Sequence, residues 1–192
     1  MKKPFIMVLS SPSGGGKTTQ EKLICERLGF VNSVSVTTRD KRPDEINNVH
    51  YRFVTRNVFE ICIKTHSFVE YAEVHGNYYG TLTITILGAI ESKSRLLLKI
   101  DIQGFRSVKK HPDQRLSAAV RGIFLMPPSL EELERRLRAR NKIDKAPEEV
   151  IRRRLAAAPV EIAAANEFDH VITTHDQEST FDEIRKIVET HS

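Results

Sequence analysis

Residues 5–28 read FIMVLSSPSGGGKTTQEKLICERL and combine three patterns in a row. The apolar run at 5–9 is short and ends at turn-forming residues, which is typical of a buried parallel strand. Serine, proline and three glycines follow, and residues 18–28 then place apolar side chains on one helical face. A strand, a glycine loop and a helix in this order predict the opening of an α/β domain.

The glycine loop nearly matches the phosphate-binding pattern G-x-x-x-x-G-K-[ST], except that Ser11 stands at the first glycine. In such a loop, backbone N–H groups and the helix N-terminus cradle phosphate oxygens, and glycines let the main chain approach the anion. Lys17 is expected to reach the β- and γ-phosphates, and the Thr18 hydroxyl to ligand Mg²⁺. A chance glycine turn with an exposed lysine is the competing interpretation, and the flanking strand and helix weigh against it.

The predicted nucleotide site, for ATP or GTP, covers this loop and the first helical turn. Its residues are Ser11, Pro12, Ser13, Gly14, Gly15, Gly16, Lys17, Thr18 and Thr19. The seven histidines include no H-x₃-H pair, so magnesium is expected on Thr18, water and the nucleotide phosphates. The loop predicts phosphate binding without naming the reaction.

Composition limits the class of protein. The chain has 192 residues, enough for one domain, and its 40% hydrophobic and 29% charged residues are ordinary for a globular fold. A net charge of +5 suits an anionic partner, which could be a nucleotide, a nucleic acid or a membrane surface. Cys25 and Cys62 make neither a disulfide framework nor a four-ligand zinc site. No apolar stretch approaches the ~18 residues of a membrane span, so we expect a cytoplasmic, unanchored protein.

The rest of the chain alternates strand and helix patterns, with no internal repeats and no interdomain linker. Strand patterns at 33–38, 51–54 and 68–74, with few long helices between them, predict a small β-rich insertion in the middle third. Further strands are expected at 96–100, 122–126 and 171–173.

Two helices with dense charge follow the middle third. Ser129 and Glu132 form a capping box at the start of the first, whose acidic first turns and arginine-rich last turns complement the helix dipole. A loop is expected at 141–146, and a second helix follows it. Pro159 should kink or end that helix, and Thr180 should open the last helix of the chain.

Two arginines, Arg39 and Arg42, lie just after the strand pattern at 33–38. Guanidinium groups that converge on one place suit a phosphate monoester, while a solvated basic turn is the plainer interpretation of this segment alone. Segments 68–72 and 76–81 add a single acid, tyrosines and a hydroxyl, each of which by itself is more often a packing residue.

Taken together and in order, these segments resemble the guanylate kinase family, the nucleoside monophosphate kinases that make GDP from GMP and ATP. The resembling stretches cover most of the chain, at 10–18, 33–53, 68–81, 100–104 and 127–155. The resemblance implies a three-layer α/β P-loop kinase with a parallel core sheet, a small β-rich GMP-binding insertion and a helical lid. It implies one domain over 1–192, with a core at about 1–32, 92–128 and 165–192, a GMP-binding region at about 33–91 and a lid at about 129–164.

The resemblance also assigns roles to residues at matching positions. A carboxylate suits guanine because N1–H and the 2-amino group are adjacent donors, and the implied guanine-reading set is Ser35, Glu70 and Thr81. The implied clamp on the GMP phosphate is Arg39, Arg42, Tyr51 and Tyr79. Asp101 is implied on the GMP and magnesium side, and Arg140 and Arg154 as lid arginines. The implied catalytic set is Lys17, Arg42, Asp101, Arg140 and Arg154.

The sequence departs from the family pattern in four places. Ser11 replaces the first loop glycine, and Lys99 stands where the family usually has an acid. The lid turn at 141–146 lacks the usual glycine after Arg140 and is a few residues longer. Thr174 stands near the position where an asparagine usually contacts adenine.

The resemblance implies an ATP:GMP phosphotransferase that acts on GMP and dGMP by direct in-line transfer in purine nucleotide metabolism, with Mg²⁺ accompanying ATP. One rival is a guanylate-kinase-like interaction module without catalysis. Such modules look degraded in the phosphate loop, whereas Lys17 and Thr18 are intact here.

A nucleic-acid-binding P-loop protein is the second rival. Nine basic residues lie between 129 and 154, but six acidic residues accompany them, which favours a local phosphate site over a broad basic face. We therefore expect GMP and ATP as partners, with no nucleic acid and no membrane. The sequence leaves a monomer and a homo-oligomer both open.

Overall fold

The structure of the protein is a computed structural model that describes residues 4–74, 76–144 and 147–191. The strands are β1 (Phe5–Ser10), β2 (Val31–Asn32), β3 (Val36–Thr37), β4 (Arg52–Phe53), β5 (Phe68–Val74), β6 (Asn77–Leu82), β7 (Arg95–Lys99), β8 (Val120–Met126) and β9 (His170–Thr173). The helices are α1 (Lys17–Leu28), α2 (Arg56–Lys64), α3 (Thr83–Glu91), α4 (Ile102–Lys109), α5 (Gln114–Ala119), α6 (Leu130–Asp144), α7 (Glu148–Ala163) and α8 (Gln177–Thr190), with a 3₁₀ turn at Ala164–Glu167. No described helix is both long enough and apolar enough to cross a membrane.

The strands form two sheets. The core sheet has the order β2-β7-β1-β8-β9, and β2 pairs with β7, and β8 with β9, in parallel. The second sheet has the order β4-β3-β6-β5 and is mixed, because β3 runs parallel to β4 whereas β6 runs antiparallel to β3 and β5. A parallel core sheet with a separate small sheet confirms the predicted α/β class.

The chain divides into two compact units. The first contains residues up to Ile6 together with Val31–Val120, and the second contains Met7–Phe30 together with Arg121–Ser192. The first unit thus holds the four-stranded sheet and α2 to α5, while the second holds the glycine loop, α1 and α6 to α8. Each unit carries one of the two predicted phosphate-binding segments.

The β5–β6 hairpin organises the first unit. An aromatic group packs beside it, with ring centroids 4.4 Å apart for Phe59 and Phe68 and 5.2 Å apart for Phe59 and Tyr78. Gly80 permits this packing, since a β-carbon there would lie 2.9 Å from the Phe68 ring. Helices α3, α4 and α5 were not predicted individually. In α3, alternating threonine and isoleucine favour a strand locally, and the tertiary contacts prevail.

Apolar burial organises the second unit. The residues of β1 are all buried, as expected for a strand in the interior of a parallel sheet. Helix α1 ends at Gly29 in the left-handed conformation, with φ of 68°. Leu133 and Leu137 of α6 pack with Ile151 and Ala158 of α7, so the two charged helices share a small apolar core.

Several predicted boundaries in the last three helices were wrong. Helix α6 continues to Asp144, so residues 141–144 are helical and not a loop, while residues 145–146 lie outside the described part of the chain. Helix α7 continues through Pro159, so the proline does not end it; the neighbouring Ala158 is fully buried, and packing outweighs the missing N–H. Helix α8 begins at Gln177, three residues before Thr180, because the Asp176 carboxylate caps its N-terminus.

Candidate active site

The glycine loop adopts a conformation that requires glycine at two positions. Gly14 and Gly16 have φ of 88° and 98°, in the left-handed region that favours glycine. The N–H of Gly15 donates to the carbonyl oxygen of Pro12 at 3.0 Å, and α1 begins immediately afterwards at Lys17. The N-cap of α1, Gly16, provides no side-chain cap. The first N–H groups of the helix therefore remain suited to an anion.

Lys17 is held beside the loop by Ser11. Its Nζ donates to the Ser11 carbonyl oxygen at 2.6 Å and to the Ser11 hydroxyl oxygen at 3.1 Å. The Ser11 hydroxyl in turn donates to the Pro12 carbonyl oxygen at 2.8 Å. The serine that departs from the glycine pattern is thus buried and bonded within the loop, while Thr18 and Thr19 on the first helical turn are exposed.

Helix α6 packs directly against the loop. A β-carbon at Gly14 would lie 3.0 Å from the Leu137 side chain and 3.4 Å from Leu133. Arg140 follows Leu137 by three residues on α6 and is exposed, and Arg154 lies on α7 and is half-buried. Both predicted lid arginines therefore belong to the helix pair whose apolar core adjoins the loop.

Arg136, one turn before Arg140, was not among the predicted site residues. Its guanidinium donates to the Thr174 hydroxyl at 2.8 Å, to the Thr174 carbonyl oxygen at 2.7 Å and to the Glu132 carboxylate at 2.8 Å. Hydrogen bonds from Arg135 and Arg136 lower the pKa of Glu132 to about 2. The arginine thus ties α6 to the residue after β9, and its spacing from Arg140 was the available sequence signal.

In the first unit, Arg39 is bound by Glu45, an acid that was not among the predicted site residues. Its guanidinium donates to the Glu45 carboxylate at 2.6 Å and to the Asp40 carbonyl oxygen at 2.6 Å. The second Glu45 oxygen accepts the backbone N–H of Arg42 at 2.8 Å. Burial alone would raise the pKa of Glu45, but the hydrogen bonds from Arg39 and Arg42 outweigh it and the pKa is lowered. Glu45 therefore holds the guanidinium of Arg39 and the backbone of Arg42.

Aromatic rings surround the Arg39 guanidinium. Its central carbon lies 5.5 Å from the Tyr51 ring centroid and 5.6 Å from that of Phe53. Tyr51 and Tyr79 meet edge to face at 6.0 Å. Partial burial disfavours the charged guanidinium, but the hydrogen bond to Glu45 prevails and the pKa of Arg39 is raised. Four predicted clamp residues thus share one small region, with the exposed Arg42 held at its backbone.

Glu70 and Thr81 face each other across the β5–β6 hairpin. They are register partners, only 5% and 1% exposed, and the Thr81 hydroxyl donates to the Glu70 carboxylate at 2.5 Å. Burial raises the pKa of Glu70 to about 7, and the negative charge of Asp101 adds to this, while the Thr81 hydrogen bond opposes it. The two oxygens of a carboxylate accept several hydrogen bonds, so Glu70 can accept further donors besides the Thr81 hydroxyl.

Asp101 occupies the N-cap of α4 instead of the end of a strand. Strand β7 ends at Lys99, and the Asp101 carboxylate accepts the backbone N–H of Gly104 at 2.8 Å. Its backbone is extended, as usual for a cap. Ser35, the remaining predicted base reader, precedes β3, and its carbonyl oxygen accepts the N–H of Arg52 at 2.9 Å. The first unit thus holds all the predicted GMP-binding residues.

Comparison with known proteins places these features in one family. A family model described as guanylate kinase matches residues 2–191. The chain belongs to the guanylate kinase family. The guanylate kinase of Rickettsia bellii is 40% identical over 191 residues, which cover 97% of this chain and 94% of the relative. That of Dechloromonas aromatica is 41% identical over 184 residues, with 95% and 87% covered.

A solved guanylate kinase has the same fold. The crystal structure from Anaplasma phagocytophilum superposes with a TM-score of 0.77 at 33% identity, and the match covers 99% of this chain and 87% of that one. Membership of the guanylate kinase family confirms the resemblance inferred from the motifs, and the α/β fold inferred with it.

Proposed function

We propose that this guanylate kinase transfers the γ-phosphoryl group of ATP to GMP, and to dGMP, and so makes GDP or dGDP. The observation that carries the choice of acceptor is the buried carboxylate of Glu70, which Thr81 contacts at 2.5 Å. Guanine presents N1–H and the 2-amino group as adjacent donors, and a carboxylate offers two acceptor oxygens at matching spacing. Adenine has no such pair of donors, so the same site would leave the buried acid poorly satisfied.

The acceptor phosphate is proposed to bind Arg39, Arg42, Tyr51 and Tyr79. Arg39 supports this role because its guanidinium is already oriented by Glu45 and framed by aromatic rings. Planar guanidinium groups bind phosphate oxygens in pairs, and phenol hydroxyls donate to them. Asp101 is proposed to act beside the acceptor, from the fixed position of a helix cap.

The transfer itself requires little covalent help from the protein. The GMP phosphate is anionic at pH 7, so no strong general base is needed for in-line attack. Lys17 is proposed to neutralise charge on the β- and γ-phosphates, while the loop N–H groups orient the donor. Arg140 and Arg154 are proposed to close over the transferring group and to exclude water, which would otherwise hydrolyse ATP.

Kinases of this family generally use a metal, and we propose Mg²⁺. Among the described residues, histidine, cysteine and acidic side chains do not come together in threes as a protein-built metal site requires. The exposed hydroxyl of Thr18, in the first turn of α1, is the residue suited to hold the ion together with nucleotide phosphates and water. Bound there, Mg²⁺ would offset phosphate charge.

Each proposed function is assigned to a segment of the chain. Residues at about 33–91 bind GMP, those at about 129–164 form the lid, and the remainder forms a core within a single guanylate kinase domain. Purine nucleotide metabolism in the cytoplasm is the proposed setting, which suits Cys25 and Cys62, since neither is part of a disulfide.

A coupled assay of ADP release with GMP, dGMP, AMP, CMP and UMP as separate acceptors tests the proposal. We expect turnover with GMP and dGMP to exceed turnover with the other three by at least ~100-fold in kcat/KM, as expected for a site that hydrogen-bonds its substrate. Equal turnover with AMP, or none with any acceptor, would contradict it.

A further inference from the structure

The first turn of α4 approaches the Glu70 carboxylate with no side chain between them. A β-carbon built on Gly104 would lie 2.6 Å from the Glu70 Oε2 and 3.2 Å from its carboxyl carbon, far inside ordinary contact. The same β-carbon would lie 3.1 Å from Cβ of Ile100. Glycine at position 104 therefore leaves the space that the carboxylate occupies.

The backbone of neither partner in this contact is free to move away. Gly104 is buried in α4, and its N–H donates to the capping carboxylate of Asp101. Its neighbour Phe105 is 1% exposed, so a shift of the helix would disturb the core. On the other side, Glu70 lies in a paired strand and is bound by Thr81. An added methyl group must then be absorbed mainly by the Glu70 carboxylate.

We propose that Gly104 is a positioning residue for guanine recognition, which sets the location and orientation of the Glu70 carboxylate by leaving its site open. This inference rests on the proposed function, because it assumes that Glu70 reads the base. Gly104 touches neither substrate nor the reacting phosphates in this role. It acts through Glu70 alone, and its replacement should change base discrimination and leave the phosphoryl-transfer step intact.

The decisive variant is Gly104→Ala, with Gly88→Ala as its matched control. Gly88 is also a helical glycine of the first unit, in α3, and a β-carbon there meets no heavy atom within 4 Å. We expect Gly104→Ala to raise the GMP KM about 10-fold, the scale of one misplaced hydrogen bond to a charged group. Its kcat and its KM for ATP should stay within about 3-fold of the starting enzyme, as for a residue remote from the transition state.

Inosine monophosphate sharpens the test because hypoxanthine lacks the 2-amino group of guanine. A displaced carboxylate loses the pairing with two adjacent donors, so Gly104→Ala should narrow the preference for GMP over IMP. In a double-mutant cycle, Glu70→Gln should raise the GMP KM much less in the Gly104→Ala background than in the starting enzyme. Additive losses, or an unchanged GMP:IMP ratio, would overturn the proposal.

A measurement of Tm and a comparison of activities distinguish a failure of the Gly104 proposal from a loss of folding or a failure of the proposed function. If Gly104→Ala lowers the Tm too far for kinetics, Glu70→Ala in the same chain should restore most of that Tm by removing the crowded carboxylate, and a failure to restore it contradicts the proposal. If the starting enzyme and Gly88→Ala do not phosphorylate GMP at all, the proposed function itself fails. If both do and Gly104→Ala matches them in KM and in GMP:IMP preference, only the role of Gly104 fails.

Discussion

The ammonium nitrogen of Lys17 lies 2.6 Å from the carbonyl oxygen of Ser11 and 3.1 Å from its hydroxyl oxygen. Ser11 replaces the first glycine of the phosphate-loop pattern, and its side chain fills space beside Gly15. A β-carbon at Gly15 would come within 2.7 Å of the Ser11 hydroxyl oxygen and 2.8 Å of the Ser11 β-carbon. The loop therefore accommodates a side chain at position 11 because position 15 has none.

This dependence predicts the behaviour of a pair of substitutions. Gly15→Ala should reduce kcat/KM for ATP by at least ~10-fold, because overpacking of this kind costs about 1–3 kcal/mol. Combining it with Ser11→Gly removes the clashing atoms and should recover part of the loss. Steady-state kinetics with ATP varied measures both effects. An equal loss from Gly15→Ala with serine and with glycine at position 11 would show that the two residues are independent.

Lys17 is expected to act mainly in the transition state. Lys17→Ala should lower kcat by at least ~10², the scale of removing one preorganised electrostatic group. Lys22→Ala is the control, since Lys22 is an exposed lysine of the same helix, α1. Single-turnover kinetics at saturating ATP and GMP makes the measurement. Near-normal turnover of Lys17→Ala would contradict the assignment of this segment as a phosphate-binding loop.

The burial that raises the pKa of Glu70 to about 7 predicts a pH dependence of GMP binding. The ionised carboxylate accepts both guanine donors, so the GMP KM should rise as the pH falls, by up to about 10-fold per unit well below the pKa. Glu70→Gln should bind GMP more weakly at pH 8 and lack this dependence. The second phosphate ionisation of GMP is common to both enzymes, so the ratio of their KM values between pH 6 and 8 isolates Glu70. A constant ratio contradicts the prediction.

The raised pKa of Glu70 also makes the stability of the fold depend on pH, in the direction opposite to GMP binding. A glutamate that ionises at 4.5 when unfolded and at about 7 when folded contributes stability below pH 4.5 that is lost as the pH rises through 7. Between pH 5 and pH 8, the Tm of Glu70→Gln should therefore rise relative to that of the starting protein, as thermal unfolding measures. The corresponding change in relative unfolding free energy is roughly 3 kcal/mol at most. A pH-independent difference in Tm between the two proteins contradicts this account of the burial.

Arg154 should matter for turnover more than for binding. Arg154→Ala is expected to lower kcat much more than it weakens ATP binding measured without turnover, because the arginine is proposed to contact the transferring group. Arg152→Ala, on the same helix and 70% exposed at its side chain, is the matched control. If ATP affinity falls as far as kcat, Arg154 is an ordinary ground-state contact.

Asparagine at position 101 separates the charge of Asp101 from its role as a helix cap. Asparagine caps as well as aspartate, so Asp101→Asn should keep α4 and leave Tm within a few degrees, as for a surface change of about 0.5 kcal/mol. The loss of charge beside the acceptor should cost over ~10² in kcat/KM with GMP varied, about 2.7 kcal/mol. Turnover close to the starting enzyme would make Asp101 a structural cap alone.

Local patterns made the phosphate loop predictable. The strand, the glycines, Lys17 and α1 lie within 24 consecutive residues, and each is set by propensities of neighbouring residues. The capping of α6 by Ser129 was also local, and its hydroxyl accepts the Glu132 N–H at 3.1 Å. Local sequence patterns were therefore enough to predict these features.

The acceptor side depended on contacts that no local pattern reports. Thr81 meets Glu70 because of the hairpin register, and that register is interrupted by an irregularity between Phe68 and Glu70. Glu45 was not predicted as a site residue, because only the fold brings its carboxylate to the Arg39 guanidinium. Gly104 lies in the resembling stretch 100–104, but its role could not be predicted, because the contact that requires a glycine there is with a strand more than 30 residues earlier.

Glu70 is proposed to select guanine for phosphorylation, and a competition between four acceptors examines this claim in one experiment. GMP, AMP, CMP and UMP at equal concentration are mixed with Mg·ATP and the enzyme, and the nucleotide products are separated at early times. We predict that GDP forms at least ~100-fold faster than CDP and UDP, and also faster than any ADP in excess of the ADP released from ATP. This preference should narrow in Glu70→Gln. Formation of all four diphosphates at similar rates, or a GDP preference unchanged by Glu70→Gln, would contradict the claim.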